Sequence, residues 1–254
     1  MRTEAIRAAL ELDVFTAIAE GANSAEALAK RCAASPKGVR VLCDYLTVIG
    51  FLTKQGHTWA LTVDSAAFLD RRSPHFQGGI VDFLLNPMLR DKYRDLTAVV
   101  RKGGTIDASG TLEPEHPVWV SFARAMAPMQ ALPAQLIGQI LGAPNAGPWK
   151  VLDVAAGHGV FGVTLARMNP QAEIVSQDWP NVLEVARDNA RIAGVESRFK
   201  TLPGSAFEVD FGTGYDVVLI TNFLHHFDAA TCEKFLRKAH AALKPGGRAI
   251  TAGI

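Results

Sequence analysis

The apolar positions of the first sixty residues repeat at helical spacing. From Ile6 to Ile18 an apolar residue recurs at every fourth position, which predicts one helix over residues 4–19. Similar stripes predict two further helices, over residues 25–31 and 36–49. Two short alternating runs then follow on either side of a glycine and predict a β-hairpin. Three helices followed by a hairpin predict a winged helix.

The second half of the chain alternates short apolar runs with helical stripes. Five strands are predicted, over residues 151–154, 173–176, 198–202, 216–221 and 248–252. Helices are predicted between them, over residues 160–168, 182–193 and 232–243. Residues 244–247, Lys-Pro-Gly-Gly, predict a turn before the last strand. The alternation predicts an α/β fold with a parallel, doubly wound sheet, in which ligands bind at the carboxyl ends of the strands.

These patterns divide the chain into three regions. Residues 1–72 form the winged helix, residues 73–147 a mostly helical linker, and residues 148–254 the α/β domain. One helical face of the middle region is bulky and apolar, and it carries Trp119, Phe122, Met126 and Met129. At that spacing, packing in a core is favoured over a ligand wall.

Composition and charge disfavour several classes of function. The 254 residues are 48% apolar and 20% charged, so the chain folds around a sizeable core. The formal charge of +1 creates no strong field for nucleic acid or a membrane surface. The position of a DNA-recognition helix offers only Lys37 and Arg40 as cations, too few for useful phosphate contacts. The helical module is therefore expected to serve packing or oligomerisation.

Cysteine usage and hydropathy indicate a compartment. Cys32, Cys43 and Cys232 are odd in number and far apart, which is typical of free thiols in a reducing cytoplasm. Their spacing does not predict a metal site. No apolar run approaches the roughly 20 residues of a membrane span, and the N-terminus is amphipathic rather than a signal peptide. A cytoplasmic protein that binds neither membrane nor nucleic acid is expected.

A glycine turn lies between the first predicted strand of the sheet and the helix that follows. Gly157 and Gly159 would let the backbone approach a ligand, and the helix N-terminus offers N–H donors. Residues 157–162 also match the G-x-G-x-x-G pattern of dinucleotide-binding proteins, although this match alone is weak. The turn therefore predicts a ligand cradle for either class of cofactor.

Two carboxylates bear on that choice. Asp153, at the end of the first strand, would repel a pyrophosphate and attract the amino group of an amino-acid-bearing cofactor. Asp178, at the end of the second strand, can accept two ribose hydroxyls, which both cofactor classes carry. Asp178 could instead cap the helix that begins near Pro180. The charge at Asp153 favours the amino-acid-bearing cofactor.

Together, several segments resemble the S-adenosylmethionine-dependent methyltransferases. The resemblance is carried by residues 151–159 (VLDVAAGHG), 178–179 (DW), 222–227 (NFLHHF) and 243–247 (LKPGG). Residues 12–15 (LDVF) and 49–52 (IGFL) in the winged helix narrow it to the small-molecule O-methyltransferases. The resemblance implies a Rossmann-like class I methyltransferase sheet, preceded by an all-helical dimerisation domain with the hairpin as its wing. It also implies a homodimer that transfers a methyl group to a hydroxyl of a small aromatic or natural-product substrate.

The resemblance also implies roles for individual residues. The cofactor would be held by Asp153, Gly157, Gly159, Asp178, Trp179, Ser205, Ala206, Phe207 and Asn222. Ser205 stands where the family usually has a carboxylate. The substrate would be held by Phe122, Met126 and His226. His225 falls at the position of the family's general base, and its neighbour His226 replaces an acidic residue and is its rival for that role.

The end of the chain departs from the family pattern. Members of the family continue past the fifth strand with two more strands, whereas this sequence stops at Ile254. An incomplete sheet is therefore expected, with an exposed edge that a partner could complete. Two alternatives remain: a catalytically impaired cofactor-binding or regulatory homologue, and an NAD(P)-dependent oxidoreductase. The acceptor molecule and the methylated atom do not follow from the residues.

Overall fold

The computed structural model describes residues 1–86, 95–103, 106 and 115–253. Part of the predicted 73–147 linker and residue 254 lie outside this description. Contacts between residues divide the chain into two compact units, Met1–Arg90 and Asp91–Ile254. The predicted division into three regions stays a prediction, and each unit is described by itself.

The first unit is helical and carries a small hairpin. Its helices are α1 (Arg2–Glu11), α2 (Val14–Ala19), α3 (Ala25–Arg31), α4 (Pro36–Val48), α5 (Val63–Phe68) and α6 (Ile80–Leu84). Strands β1 (Leu52–Gln55) and β2 (Thr58–Leu61) pair antiparallel, so the predicted hairpin is confirmed. Ser24 and Ser35 cap α3 and α4 by accepting backbone N–H bonds. Phe15, Leu28 and Leu46 are fully buried in the core.

The single helix predicted over residues 4–19 is wrong. The helix breaks between α1 and α2 because Asp13 adopts a left-handed backbone conformation, with φ at 58°. The carboxylate of Asp13 lies 3.4 Å from Arg31 and 3.2 Å from Arg71. These ion pairs join residues that are distant in sequence, so the helical spacing alone gives no sign of the break.

The second unit is an α/β domain. Its elements are α7 (Leu96–Lys102), α8 (Pro117–Ile140), β3 (Lys150–Val154), α9 (Val160–Met168), β4 (Glu173–Asp178), α10 (Pro180–Ile192), β5 (Phe199–Pro203), β6 (Tyr215–Thr221), α11 (Ala229–Ala242) and β7 (Leu243–Ala252). The sheet order is β5-β4-β3-β6-β7 and every pair is parallel. The predicted parallel α/β sheet is confirmed.

Strand alternation explains why both faces of the sheet are covered. On one face, Val151 of β3 and Val217 of β6 pack in a core cluster with residues of α9 and α10. On the other face, their neighbours Leu152 and Val218 pack with Phe235 of α11. The chain adds β4 and β5 on one side of β3 and then crosses to β6 on the other side. Ligands of such sheets bind where the strand order reverses, here at the carboxyl ends of β3 and β6.

The turn predicted at residues 244–247 is an irregularity inside a strand. Tyr215 pairs with Leu243 and Val217 pairs with Arg248, so the register shifts between them. Gly246 takes a positive φ of 77°, and a Cβ at Gly247 would lie 2.7 Å from the carbonyl oxygen of Tyr215. The two glycines therefore let the strand begin earlier than predicted.

Among the described helices, none combines the length and apolar character needed to cross a membrane.

Candidate active site

A cavity of about 440 Å³ lies at the carboxyl ends of the strands. Its wall is formed by residues 155–158, 161, 177–179, 182, 204–208, 221–223 and 226–227, with Trp119 and Phe122 from α8. The size falls in the range of small-molecule sites, which is about 300–1,000 Å³. It brings together most of the residues that the sequence singles out.

The glycine turn forms part of the wall, and its two glycines have different roles. Gly157, with φ at 57°, lines the cavity, and a Cβ there would meet nothing closer than 3.9 Å. Gly159, with φ at 67°, lies outside the wall, and a Cβ there would approach the Cβ of Ala186 to 2.8 Å. Gly157 therefore serves the shape of the cavity, whereas Gly159 serves the packing of the turn against α10.

Asp178 ends β4 and holds the turn in place. Its Oδ2 accepts the N–H of Gly157 at 2.8 Å, and its Oδ1 accepts the N–H of Trp179 at 2.7 Å. Burial raises the pKa of Asp178 to about 6, although these two N–H donors oppose the shift. Each carboxylate oxygen can accept a further bond, so Asp178 can receive two neighbouring hydroxyl groups from a ligand in the cavity.

Asp153 lies below the cavity and does not line it. Its side chain is fully buried, and its Oδ2 accepts the N–H of Gly162 at 3.0 Å, in the first turn of α9. A Cβ at Gly162 would lie 3.0 Å from that oxygen, so the close approach requires glycine. The expected contact of Asp153 with a ligand amino group is not part of this geometry, which makes Asp153 a cap for α9.

The protonation of Asp153 should affect stability. Burial raises the pKa of Asp153 to about 7, and the nearby charge of Asp178 adds to the shift. A raised pKa in the folded state favours the protonated form, so its stabilising contribution is lost as pH rises from 3.8 through 7. The second oxygen, Oδ1, is buried without a hydrogen-bond partner, so the amide of Asp153→Asn costs stability equally at all pH values. Because only the wild type has a charge to bury at high pH, we expect the Tm of Asp153→Asn relative to wild type to be about 4 °C higher at pH 8 than at pH 5.

Calorimetric melting at pH 8 and pH 5 measures this effect. The Tm of Asp153→Asn relative to wild type should fall as pH falls, because the wild-type carboxyl is then neutral in the folded protein. Asp188→Asn, which changes a carboxylate on α10 that is 60% exposed, serves as the control and should show no such dependence. The same Tm difference between Asp153→Asn and wild type at pH 5 and pH 8 would contradict the assignment.

Sequence reasoning missed Gln177, the residue before Asp178. Its Oε1 accepts the N–H of Ala155 at 3.3 Å, and its Nε2 donates to the carbonyl oxygen of Gly204 at 2.5 Å. Gln177 therefore links the glycine turn to the segment after β5, and both line the cavity. The available signal is a polar amide near the end of an otherwise buried strand, because such a group requires hydrogen-bond partners.

The segment after β5 and the residue after β6 complete this side. Ser205, Ala206 and Phe207 all line the cavity, as does Trp179. Asn222 also lines it and has a positive φ of 52°. A left-handed conformation is costly for a residue other than glycine, and such strain is concentrated at functional sites. These five predicted cofactor residues thus share one cavity with Gly157 and Asp178.

One of the two adjacent histidines lines the cavity. His226 lies in the wall, with its ring 5.7 Å from Trp119 in an edge-on contact. Burial and then the neighbouring His225 lower the pKa of His226, which keeps the ring neutral at pH 7. The ring of His225 lies 4.2 Å from that of His226 but outside the wall. The geometry therefore presents His226, and not the predicted base His225, to the cavity.

Of the other two predicted substrate residues, only one lines the cavity. Phe122 lines the cavity beside Trp119, whereas Met126, one turn further along α8, does not.

A third histidine, His158, also lines the cavity, although the sequence assigned it no role of its own. Its Nδ1 accepts the N–H of Val160 at 3.1 Å, and burial lowers its pKa to about 4. His158 is therefore neutral and fixes the start of α9.

Comparisons with known proteins agree with this geometry. Residues 151–247 match the model of a methyltransferase domain, and residues 1–71 match that of the O-methyltransferase dimerisation domain. Among the described residues, no three possible ligand side chains group to hold a metal ion. The fold and the two matched domains favour methyl transfer over the dinucleotide alternative.

Three relatives cover nearly the whole chain. A crystal structure of a candidate O-methyltransferase from Nostoc punctiforme PCC 73102 is 56% identical, with a TM-score of 0.91, over 98% of this chain and 76% of that one. The mitomycin biosynthesis 6-O-methyltransferase of Streptomyces lavendulae is 30% identical over 98% of this chain and 73% of its own length. The acetylserotonin O-methyltransferase of Mus musculus molossinus is 27% identical over 98% and 69%, respectively. The chain belongs to the S-adenosylmethionine-dependent O-methyltransferases that carry an N-terminal dimerisation domain.

Proposed function

We propose that the cavity binds S-adenosylmethionine and that the chain transfers its methyl group to a hydroxyl of a small aromatic or natural-product molecule. One observation carries the proposal. The glycine turn, Asp178, His226 and Trp119 all line a single cavity, in the unit that contains the match to a methyltransferase domain. Relatives named for mitomycin biosynthesis and for acetylserotonin support an acceptor of this class.

The residues of the cavity suit the proposed cofactor. Asp178 keeps free acceptor capacity toward the cavity, which matches the two hydroxyls of a ribose. The segment 204–208 gives a wall with both backbone groups and the aromatic ring of Phe207, which suits a flat, uncharged base. When bound, S-adenosylmethionine supplies a methyl group made electrophilic by the adjacent sulfonium. Aromatic faces such as that of Trp119 favour a cation nearby.

The chain must also accept a proton from the acceptor hydroxyl. We assign this step to His226, because it lines the cavity and its lowered pKa keeps a nitrogen lone pair available at pH 7. Family resemblance instead implies His225, whose ring is adjacent. Phe122 and Trp119 would position the acceptor beside this nitrogen. Contact of the substrate with Met126 stays a prediction.

The first unit supports a further part of the proposal. Its match to the O-methyltransferase dimerisation domain covers residues 1–71, and we infer that two chains associate through this unit. Val41 and Val48 of α4 are 54% and 82% exposed, so an apolar strip of this helix is available to a second copy.

Calorimetric titration with S-adenosylhomocysteine tests the cofactor assignment, with NADH as the comparison ligand. We expect micromolar or tighter binding of the former and no heat from the latter. Binding of NADH alone would overturn the proposal. Methyl transfer from radiolabelled S-adenosylmethionine to a panel of phenols then tests the reaction, and binding without transfer to any phenol would favour the impaired homologue.

A further inference from the structure

The wall segment 204–208 is held by contacts with neighbouring elements. The N–H of Gly204 donates to the carbonyl oxygen of Asp178 at 3.0 Å. Ser205 accepts the next bonds: its Oγ accepts from Phe207 at 3.3 Å, and its carbonyl oxygen accepts from Glu208 and from the following residue, Val209, each at 3.0 Å. Two carbonyl oxygens of the segment face other elements instead. Gln177 holds that of Gly204, as described above. A second contact holds the carbonyl oxygen of Ala206, in the middle of the segment.

That second contact comes from Lys238 on α11. Its Nζ donates to the carbonyl oxygen of Ala206 at 2.9 Å and lies 4.4 Å from the centre of the Phe211 ring. Ala206 and Phe211 are both buried, so the lysine holds a part of the segment that water does not reach freely. A hydrogen bond from a charged donor is about twice as strong as a neutral one.

The surroundings of Lys238 distinguish it from the other cations of α11. Lys238 is half-buried, whereas Lys234 and Arg237 on the same helix are exposed. Burial lowers the pKa of Lys238, and the carboxylates of Asp210 and Glu208 oppose the shift and keep it charged. The cation is thus retained in a position where desolvation disfavours it, next to residues that line the cavity.

We propose that Lys238 is a positioning residue for the cofactor: its ammonium group, by holding the carbonyl of Ala206, keeps segment 204–208 in the shape that receives the nucleoside. This inference rests on the proposed function, because it assumes that the cavity binds S-adenosylmethionine. Lys238 acts through the segment and does not itself line the cavity.

Ligand affinity provides the first test. We expect Lys238→Met to weaken binding of S-adenosylhomocysteine about tenfold, since a hydrogen bond from a charged donor is lost. The KM for S-adenosylmethionine should rise by a similar factor while kcat changes less than threefold, because the reacting groups are untouched. Lys238→Arg, which keeps the charge, should recover most of the affinity. Lys234→Met, on the exposed face of the same helix, should bind as the wild type does.

Hydrogen exchange of the ligand-free protein provides the second test. The amides of residues 207–209, which bond to Ser205, should exchange about tenfold faster in Lys238→Met and recover in Lys238→Arg. If Lys238→Met does not fold, Lys238→Gln, which removes the charge but keeps a donor, is measured in its place with the same expected directions.

The outcomes separate the two proposals. Unchanged affinity in the variant, or a lower Tm with unchanged affinity, would overturn the role of Lys238 while leaving the proposed function in place. If the wild type itself fails to bind S-adenosylhomocysteine, the proposed function falls, and the role of Lys238 toward the cofactor falls with it. The exchange measurement would then still report whether the lysine holds the segment.

Discussion

Replacing His226 with alanine is expected to lower kcat about 100-fold or more, since a general base contributes about 10²–10⁴-fold. The reason is position: His226 is the histidine of the pair whose ring lies in the cavity wall beside Trp119. Affinity for S-adenosylhomocysteine should stay within about threefold, because Asp178 and the glycine turn, to which the cofactor is assigned, are unchanged. Methyl transfer to the best phenol of the panel, followed in single turnovers, measures the chemical step.

Two other histidines make this prediction specific. His225→Ala should lower kcat less than tenfold, because its ring lies outside the wall. His240→Ala, an exposed position on α11, should leave kcat unchanged. If His225→Ala gives the large loss and His226→Ala the small one, the base is His225, as the family resemblance implies.

The pH dependence of kcat provides a second test of His226 as the general base. A base must be unprotonated, and the pKa of His226 is lowered below its usual 6.5. Activity that depends on this histidine should therefore persist down to pH 6.5 and fall only at lower pH. An acidic limb centred above 6.5 would indicate a different base.

Much of the fold could be predicted because the sheet is built from fully buried strands. In β3 and β6 almost every side chain is buried, so the sequence shows continuous apolar runs that stand out from the helical stripes. The break at Asp13 and the early start of β7 could not be predicted in this way. Both depend on backbone conformations with positive φ, at Asp13 and Gly246, and the second also on pairing with a distant strand.

Asp153 and Asp178 show which part of the site could be predicted from the sequence and which could not. Asp178 is the last residue of β4 and Asp153 the last but one of β3, and the sequence predicts both near the ligand. Val154 pairs with Gln177 in the register of β3 and β4, so Asp153 lies two positions deeper than Asp178. Two residues of a strand span about 7 Å, so Asp153 lies in the layer below the cavity and does not line it. Only the register distinguishes their positions.

Contacts between distant elements account for the other residues that the sequence did not reveal. Gln177 and Lys238 contact segment 204–208 from two different elements, and neither belongs to a recognisable motif. His226 differs from His225 only in the direction that a short turn gives its ring. Such directions depend on packing and are absent from spacing and composition.

Asp178→Ala is expected to weaken binding of S-adenosylhomocysteine about 100-fold or more. The substitution removes the acceptor for the ribose hydroxyls and leaves the N–H groups of Gly157 and Trp179 without their partner. Each such bond to a carboxylate contributes about 1.5–3 kcal/mol, so the loss of two or more gives an effect of this size. Asp188→Asn, at an exposed carboxylate on α10, is the control and should leave the affinity unchanged.

The pH dependence of binding separates this role from a purely structural one. Because the pKa of Asp178 is raised to about 6 and the hydroxyl donors require its charged form, wild-type affinity should fall as pH drops from 7.5 through 6. Asp178→Asn should bind weakly at both pH values and lose this dependence, while its melting curve shows that it is folded. Calorimetric titration at pH 7.5 and pH 5.5 measures both effects. Wild-type affinity that is flat over this range, together with tight binding by Asp178→Ala, would remove Asp178 from the cofactor site and place the ribose elsewhere in the cavity.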